Sequence, residues 1–104
     1  MQFLTHYEIN ERLSNRAVQG IAETLTAEGT FPPEGVEILR WDATPDNWGV
    51  LVWEADDYRA VNHAVNVWRA AAGEEAFFEE TTTTPAAPVE DILQHQAGLL
   101  EQLE

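Results

Sequence analysis

Read as alternating apolar and polar positions, the 104-residue chain divides into seven regular segments joined by turns. "QFLTHY" (Gln2 to Tyr7) is short, β-rich and placed to be a first strand. From Ser14 to Glu28, Val18, Ile21, Ala22 and Leu25 fall on one stripe at helical spacing, with Ser14 as a cap and Gly29 where a helix stops. "TFPPEG" is a turn, since Pro32, Pro33 and Gly35 cannot continue regular structure. "VEILRW" (Val36 to Trp41) and "WGVLVWE" (Trp48 to Glu54) are strands flanking the loop "DATPDN", which makes them a β-hairpin. "ADDYRAVNHAVNVWRAAAG" opens with acids suited to a helix N-terminus, carries Val61, Ala64, Val65, Trp68 and Ala72 on one stripe, and ends at Gly73. "AFFEETTTT" (Ala76 to Thr84) is aromatic and β-branched, hence a fourth strand, with "PAAP" breaking it. After Pro88, residues Val89, Ile92, Leu93, Gln96, Leu99, Leu100 and Leu103 share the face of a last amphipathic helix.

The order β-α-β-β-α-β plus a C-terminal helix is the split βαβ pattern. It predicts a single α+β domain over residues 1–104, ferredoxin-like, with a four-stranded antiparallel sheet carrying two helices on one face.

Three tryptophans in "RWDATPDNWGVLVWE" bear on assembly. If the hairpin closes symmetrically, Trp41 pairs with Trp48, Leu39 with Val50 and Glu37 with Val52, and these side chains share one face. The other face then carries Val36, Ile38, Leu51 and Trp53. Both faces are strongly apolar, whereas an antiparallel sheet buried on one side alternates apolar with polar. Two apolar faces need two covers. The purer face with Trp53 fits under the helices, and the mixed face fits a second subunit's sheet, so the expectation is a homodimer with Leu39, Trp41, Trp48 and Val50 at its interface. A one-residue slip of register would exchange the two faces.

Composition mostly excludes. The chain has 19 Asp and Glu against five Arg, no Lys, and a formal net charge of −14. Neutralising phosphates takes basic residues, so nucleic acid is not an expected partner. An acidic, lysine-free surface suits a saline cytoplasm, and equally an ordinary acidic protein. Lysine's absence removes Schiff-base chemistry and the P-loop. With no cysteine there is no disulfide, thiolate site or thiol nucleophile. The only serine, Ser14, lacks a Gly-x-Ser-x-Gly elbow and reads as a helix cap. No apolar run nears the roughly 18 residues of a membrane span, and "MQFLTHYE" is not a secretory leader, so the expected location is the cytoplasm.

His6 and Glu8 share a strand face and admit three readings: two ligands of a metal, a hydrogen-bonded structural histidine, or a pocket acid-base group. Two ligands at that spacing are common by chance, and no metal site is expected. His63 lies about 200° around its helix from Val61, away from the apolar stripe. Trp68 on that stripe reads as core, yet the space between sheet and helices is where pockets open in this architecture. A pocket walled by Trp53 and Trp68 with His6 at its mouth would take a small hydrophobic, flat aromatic or polyketide-like ligand, and in a monooxygenase-like reaction without cofactor His6 would be the base that deprotonates it. The C-terminal stripe has two readings of its own, a helix on its own sheet or on a partner subunit, or a docking surface of a non-catalytic interaction module.

The segments "MQFLTHY", "PPEGVEILRW", "GVLVWEADDYRAVNHAVNVWRAAAG" and "FFEETTTTPA" give the chain a resemblance to the dimeric α+β barrel superfamily. Within it the chain resembles a small bacterial and archaeal family of unknown function. The resemblance implies a ferredoxin-like dimer; relatives include cofactor-independent quinol-type monooxygenases, haem-degrading enzymes, dehydratases and stress-responsive proteins. No Asn-Trp-His haem-degrading constellation is matched, and no cofactor is expected. Transfer of activity from a fold is analogy only.

Overall fold

The computed structural model describes residues 1–103. The elements are β1 (Gln2–Ile9), α1 (Asn15–Ala27), β2 (Val36–Ala43), β3 (Trp48–Ala55), α2 (Tyr58–Ala72), β4 (Phe78–Ala86) and α3 (Val89–Leu103). The strands form one antiparallel sheet in the order β2-β3-β1-β4. This is the ferredoxin-like fold with an added C-terminal helix.

Local chemistry accounts for the boundaries. Ser14 caps α1, its hydroxyl accepting the Ala17 amide at 3.1 Å, and Asp57 caps α2, its carboxylate accepting the Ala60 amide at 3.0 Å. Gly73 leaves α2 at φ 74°, a left-handed value that glycine adopts without a Cβ penalty. Strand β4 runs through Thr84 and Pro85 to Ala86, two residues beyond the expected end. Proline is tolerated there because β4 is an edge strand and one side of its ladder needs no amide donor.

The alternation in β1 sorts the sheet. Phe3, Thr5 and Tyr7 are buried beneath the helices, while Leu4, His6 and Glu8 point to the opposite, outer face. Cross-strand pairing extends the division: Phe3 lies opposite Trp53 and Thr5 opposite Leu51, whereas Leu4 lies opposite Val52, His6 opposite Val50 and Glu8 opposite Trp48. Trp53, Phe3, Val61 and Thr5 are the most completely buried large side chains. Thr5 is tolerated there because its hydroxyl accepts from the Trp53 indole N–H at 2.9 Å and meets the Thr83 hydroxyl at 2.8 Å.

The hairpin departs from symmetric closure. Ile38 pairs with Trp53 as alternation requires, but the next partner of β3, Val52, faces Arg40, and Trp41 then pairs with Leu51. A bulge at Leu39 and Arg40 inserts one residue into β2 and moves every later side chain to the other face. Trp41 therefore sits on the helix side, not beside Trp48 on the outer face, while Leu39, Trp48 and Val50 remain on the outer face. The spacing Val36, Ile38, Trp41 carries that bulge: one step of two residues, then a step of three.

Candidate functional site

A cavity of about 160 Å³ lies between the sheet and the helices. Its floor is Thr5 and Tyr7 of β1, Leu51 and Trp53 of β3 and Trp41 of β2; Val18 and Ala22 of α1 and Val65 and Trp68 of α2 roof it; Phe31, Phe77, Phe78 and Ile9 close the ends. It is partly open to solvent. The opening follows from the unequal packing of the two helices. α2 buries Val61, Ala64, Val65 and Trp68, whereas α1 buries only Leu25 and leaves Val18, Ile21 and Ala22 half-buried.

The wall is aromatic, and its rings meet edge to face. Phe31 lies 5.2 Å from Trp68, 5.7 Å from Trp41 and 6.1 Å from Trp53, centroid to centroid, at interplanar angles of 74–79°. Trp41 and Trp68 stand at 6.0 Å and 88°. Such offset, tilted pairs are the favourable ones for aromatic quadrupoles, so the cluster holds a fixed shape instead of collapsing. Phe31 reaches its place from the turn "TFPPEG"; Phe77 is delivered by the α2–β4 loop. Asn10 anchors that loop, its amide donating to the Ala76 carbonyl at 2.8 Å and to the Glu75 carboxylate at 3.0 Å.

Among the described residues, Tyr7 is the one ionisable side chain lining the cavity. Its hydroxyl oxygen accepts from the Trp41 indole N–H at 2.9 Å. The ring takes this position because Gly49 lies opposite it in the sheet. A Cβ at Gly49 would stand 2.4 Å from the Tyr7 hydroxyl and 2.7 Å from the Asp42 carbonyl oxygen, so no side chain fits.

Trp53 and Trp68 both line the cavity, with Phe31 between them. His6 does not. It points to the outer face, where its ring stacks obliquely on Trp48 at 5.5 Å and 32°. The thickness of the sheet separates it from the cavity, so His6 cannot act there as a base; successive residues of a strand point to opposite faces, and Thr5 and Tyr7 hold the inner positions. Trp41, expected on the outer face, contributes to the cavity wall instead, for the bulge reason given above. His63 is on the exposed side of α2. Among the described residues no group of three or more His, Asp or Glu side chains is arranged to hold a metal ion, and no helix is long and apolar enough to cross a membrane.

Reading by sequence alone missed Phe31, Tyr7 and Phe77. Phe31 had a signal, since a large aromatic inside a proline-rich turn has to be buried somewhere. Tyr7 had one in Gly49, a glycine within an otherwise largely apolar strand, which marks a close approach by a neighbour.

No family model matches the chain, and no curated protein is similar to it in sequence. Similar solved structures include SCO4226 from Streptomyces coelicolor A3(2), 16% identical over 85% of this chain and 100% of that one, with a TM-score of 0.45. A dimeric ferredoxin-like protein of unknown function from Thermobifida fusca is 15% identical over 84% of this chain and 89% of that one, with a TM-score of 0.47. A protein described as an antibiotic biosynthesis monooxygenase is 12% identical over 84% of this chain and 98% of that one, with a TM-score of 0.44.

Proposed function

We propose that this protein is a homodimer that binds a small, flat, uncharged aromatic molecule in the cavity between the sheet and the helices. The observation that carries the reading is an aromatic-walled space of about 160 Å³ in a domain this small. Native interiors pack with few voids larger than a water molecule. An apolar-walled space of that size forfeits the packing contacts its lining would otherwise make. Water is a poor filler, because it needs two to four polar partners and the wall offers little beyond the Tyr7 hydroxyl. A cavity of about 150 Å³ with apolar walls takes benzene, so one ring fits, and a second can extend toward the open side.

Charge supports an uncharged ligand. No cation lines the cavity to hold an anion, and the chain's net charge of −14 repels one. Proton-abstraction chemistry of the oxygenase kind would require a base at the ligand. His6 is on the wrong face, which favours binding over turnover. The homodimer is supported by the outer face, where Leu4, Leu39, Trp48, Val50 and Val52 form an apolar field without a cover in the protomer.

Toluene and naphthalene test the reading by calorimetry and thermal shift. Saturable binding should raise stability by about 2.7 kcal/mol at one hundred times the dissociation constant. Ala22→Phe, which places a ring in the void from α1, should abolish binding while the protein stays folded. The proposal fails if neither arene binds saturably, or if Ala22→Phe binds as well as the parent.

A further inference from the structure

Helix α3 presents an apolar stripe that the protomer leaves uncovered. Val89, Ile92, Leu93, Leu99, Leu100 and Leu103 are between 45% and 83% exposed, and no residue of the helix is buried. A lone helix of about 12–15 residues is marginal in water, since nucleation is costly and packing of an apolar face supplies most of the stability. This helix therefore needs a surface to lie on.

We infer that α3 docks its stripe onto a second copy of this chain, as an arm extending the sheet-to-sheet interface; the inference rests on the homodimer reading above. The area of the sheet face argues for that occupant. Four strands about 4.8 Å apart, each rising about 3.3 Å per residue over about eight residues, give the outer face a plan area of about 500 Å². Part of it is carboxylate, with Glu8, Glu37, Glu54 and Glu80 at outer positions. A stable interface buries about 800 Å² of accessible surface per partner, so a sheet face of this plan area, part of it carboxylate, is marginal by itself. A fifteen-residue helix about 22 Å long and about 10 Å wide adds about 220 Å² of plan area, close to half as much again.

Position argues the same way. α3 follows β4 after only Ala87 and Pro88, and the last outer-face residues of β4, Thr84 and Ala86, pair with Leu4 and Gln2 at the border of the apolar field. The stripe thus starts beside the face that needs covering. In a two-fold dimer each arm meets the same surface of the other protomer, so both stripes are covered by one closed contact.

Sedimentation velocity over a range of concentrations decides the matter, on the full chain, on Val50→Glu in the outer face, and on the double variant Ile92→Glu with Leu99→Glu in the exposed stripe. The expected result is a dimer for the full chain and a dissociation constant raised at least about a hundredfold, the equivalent of about 2.7 kcal/mol, by each variant. Far-ultraviolet circular dichroism should show both variants folded. A full chain that stays monomeric at concentrations of tens of micromolar overturns the inference and the homodimer reading together. If the helix variant dimerises as tightly as the full chain while Val50→Glu does not, the arm is wrong and the sheet interface stands. If only the helix variant dissociates, the arm stands and the sheet interface is wrong.

Discussion

Helices α2 and α3 are the same length, fifteen residues, and each concentrates its apolar side chains on one face. α2 buries four of them against the sheet; α3 buries none. The difference cannot be read from either helix by itself. Amphipathic spacing states that a face wants cover, and the topology decides who supplies it. α2 returns over the sheet between β3 and β4, so its stripe closes on Trp53 and Phe77. α3 follows the last strand, when both available helix positions on the inner face are already taken. The same division runs through the sheet, whose inner face is covered by α1 and α2 around the cavity and whose outer face is apolar but open.

Matched substitutions would break the comparison most sharply. Val65→Glu puts a carboxylate into the buried α2 stripe and should cost several kcal/mol, enough to unfold a domain of this size. Ile92→Glu makes the same chemical change on α3 and should alter the stability of the dissociated protomer by no more than about 0.5 kcal/mol. Urea denaturation at low protein concentration measures both. Equal losses would mean that α3 packs on its own domain.

A smaller pair compares the two faces of the sheet at threonine. Thr5→Val removes the acceptor of the buried Trp53 indole N–H, and leaving that donor unsatisfied should cost about 1–3 kcal/mol. Thr84→Val, exposed on the edge strand, should cost close to nothing and improve an apolar outer face. The red edge of tryptophan emission would report the first change as loosening around Trp53, and the midpoint of urea unfolding would rank the two. A large loss from Thr84→Val would place that residue in a buried network that the strand register does not give it.

Much of this architecture was legible in the sequence for physical reasons that can be named. Ser14, Asp57, Gly29 and Gly73 mark helix ends because they satisfy or release backbone groups there, and the α2 stripe with Trp68 marks a covered face. The inner placement of Trp53 followed from alternation in β3, which has no irregularity. Trp41 failed because alternation counts residues, and a bulge adds one without changing their character. His6 failed differently: the parity of β1 set it opposite Tyr7, but nothing in a single strand says which of its faces meets the helices. The cavity was legible only as two of its walls, since Phe31 and Phe77 come from loops whose path is set by tertiary contacts such as those of Asn10.

Salt gives the finest test of the difference between the covered and uncovered sides. Each protomer brings a formal charge of −14, so association of two copies works against their mutual repulsion. At 0.15 M ionic strength the screening length is about 8 Å and at 1 M about 3 Å, so raising salt removes most of the repulsion between carboxylates that do not touch. The apolar contribution from the outer face and the α3 stripe has no charge to screen. Dimerisation should therefore tighten from low to high sodium chloride, by about tenfold. The compact inner core, already covered within one chain, should respond less in the unfolding of the dissociated protomer. Sedimentation across a salt series reads the first quantity and denaturation at high dilution the second. A dimer that weakens with salt would mean that ion pairs hold it, with Arg40 and the outer-face glutamates as the groups to examine, and the apolar arm would then have no part in holding two copies together.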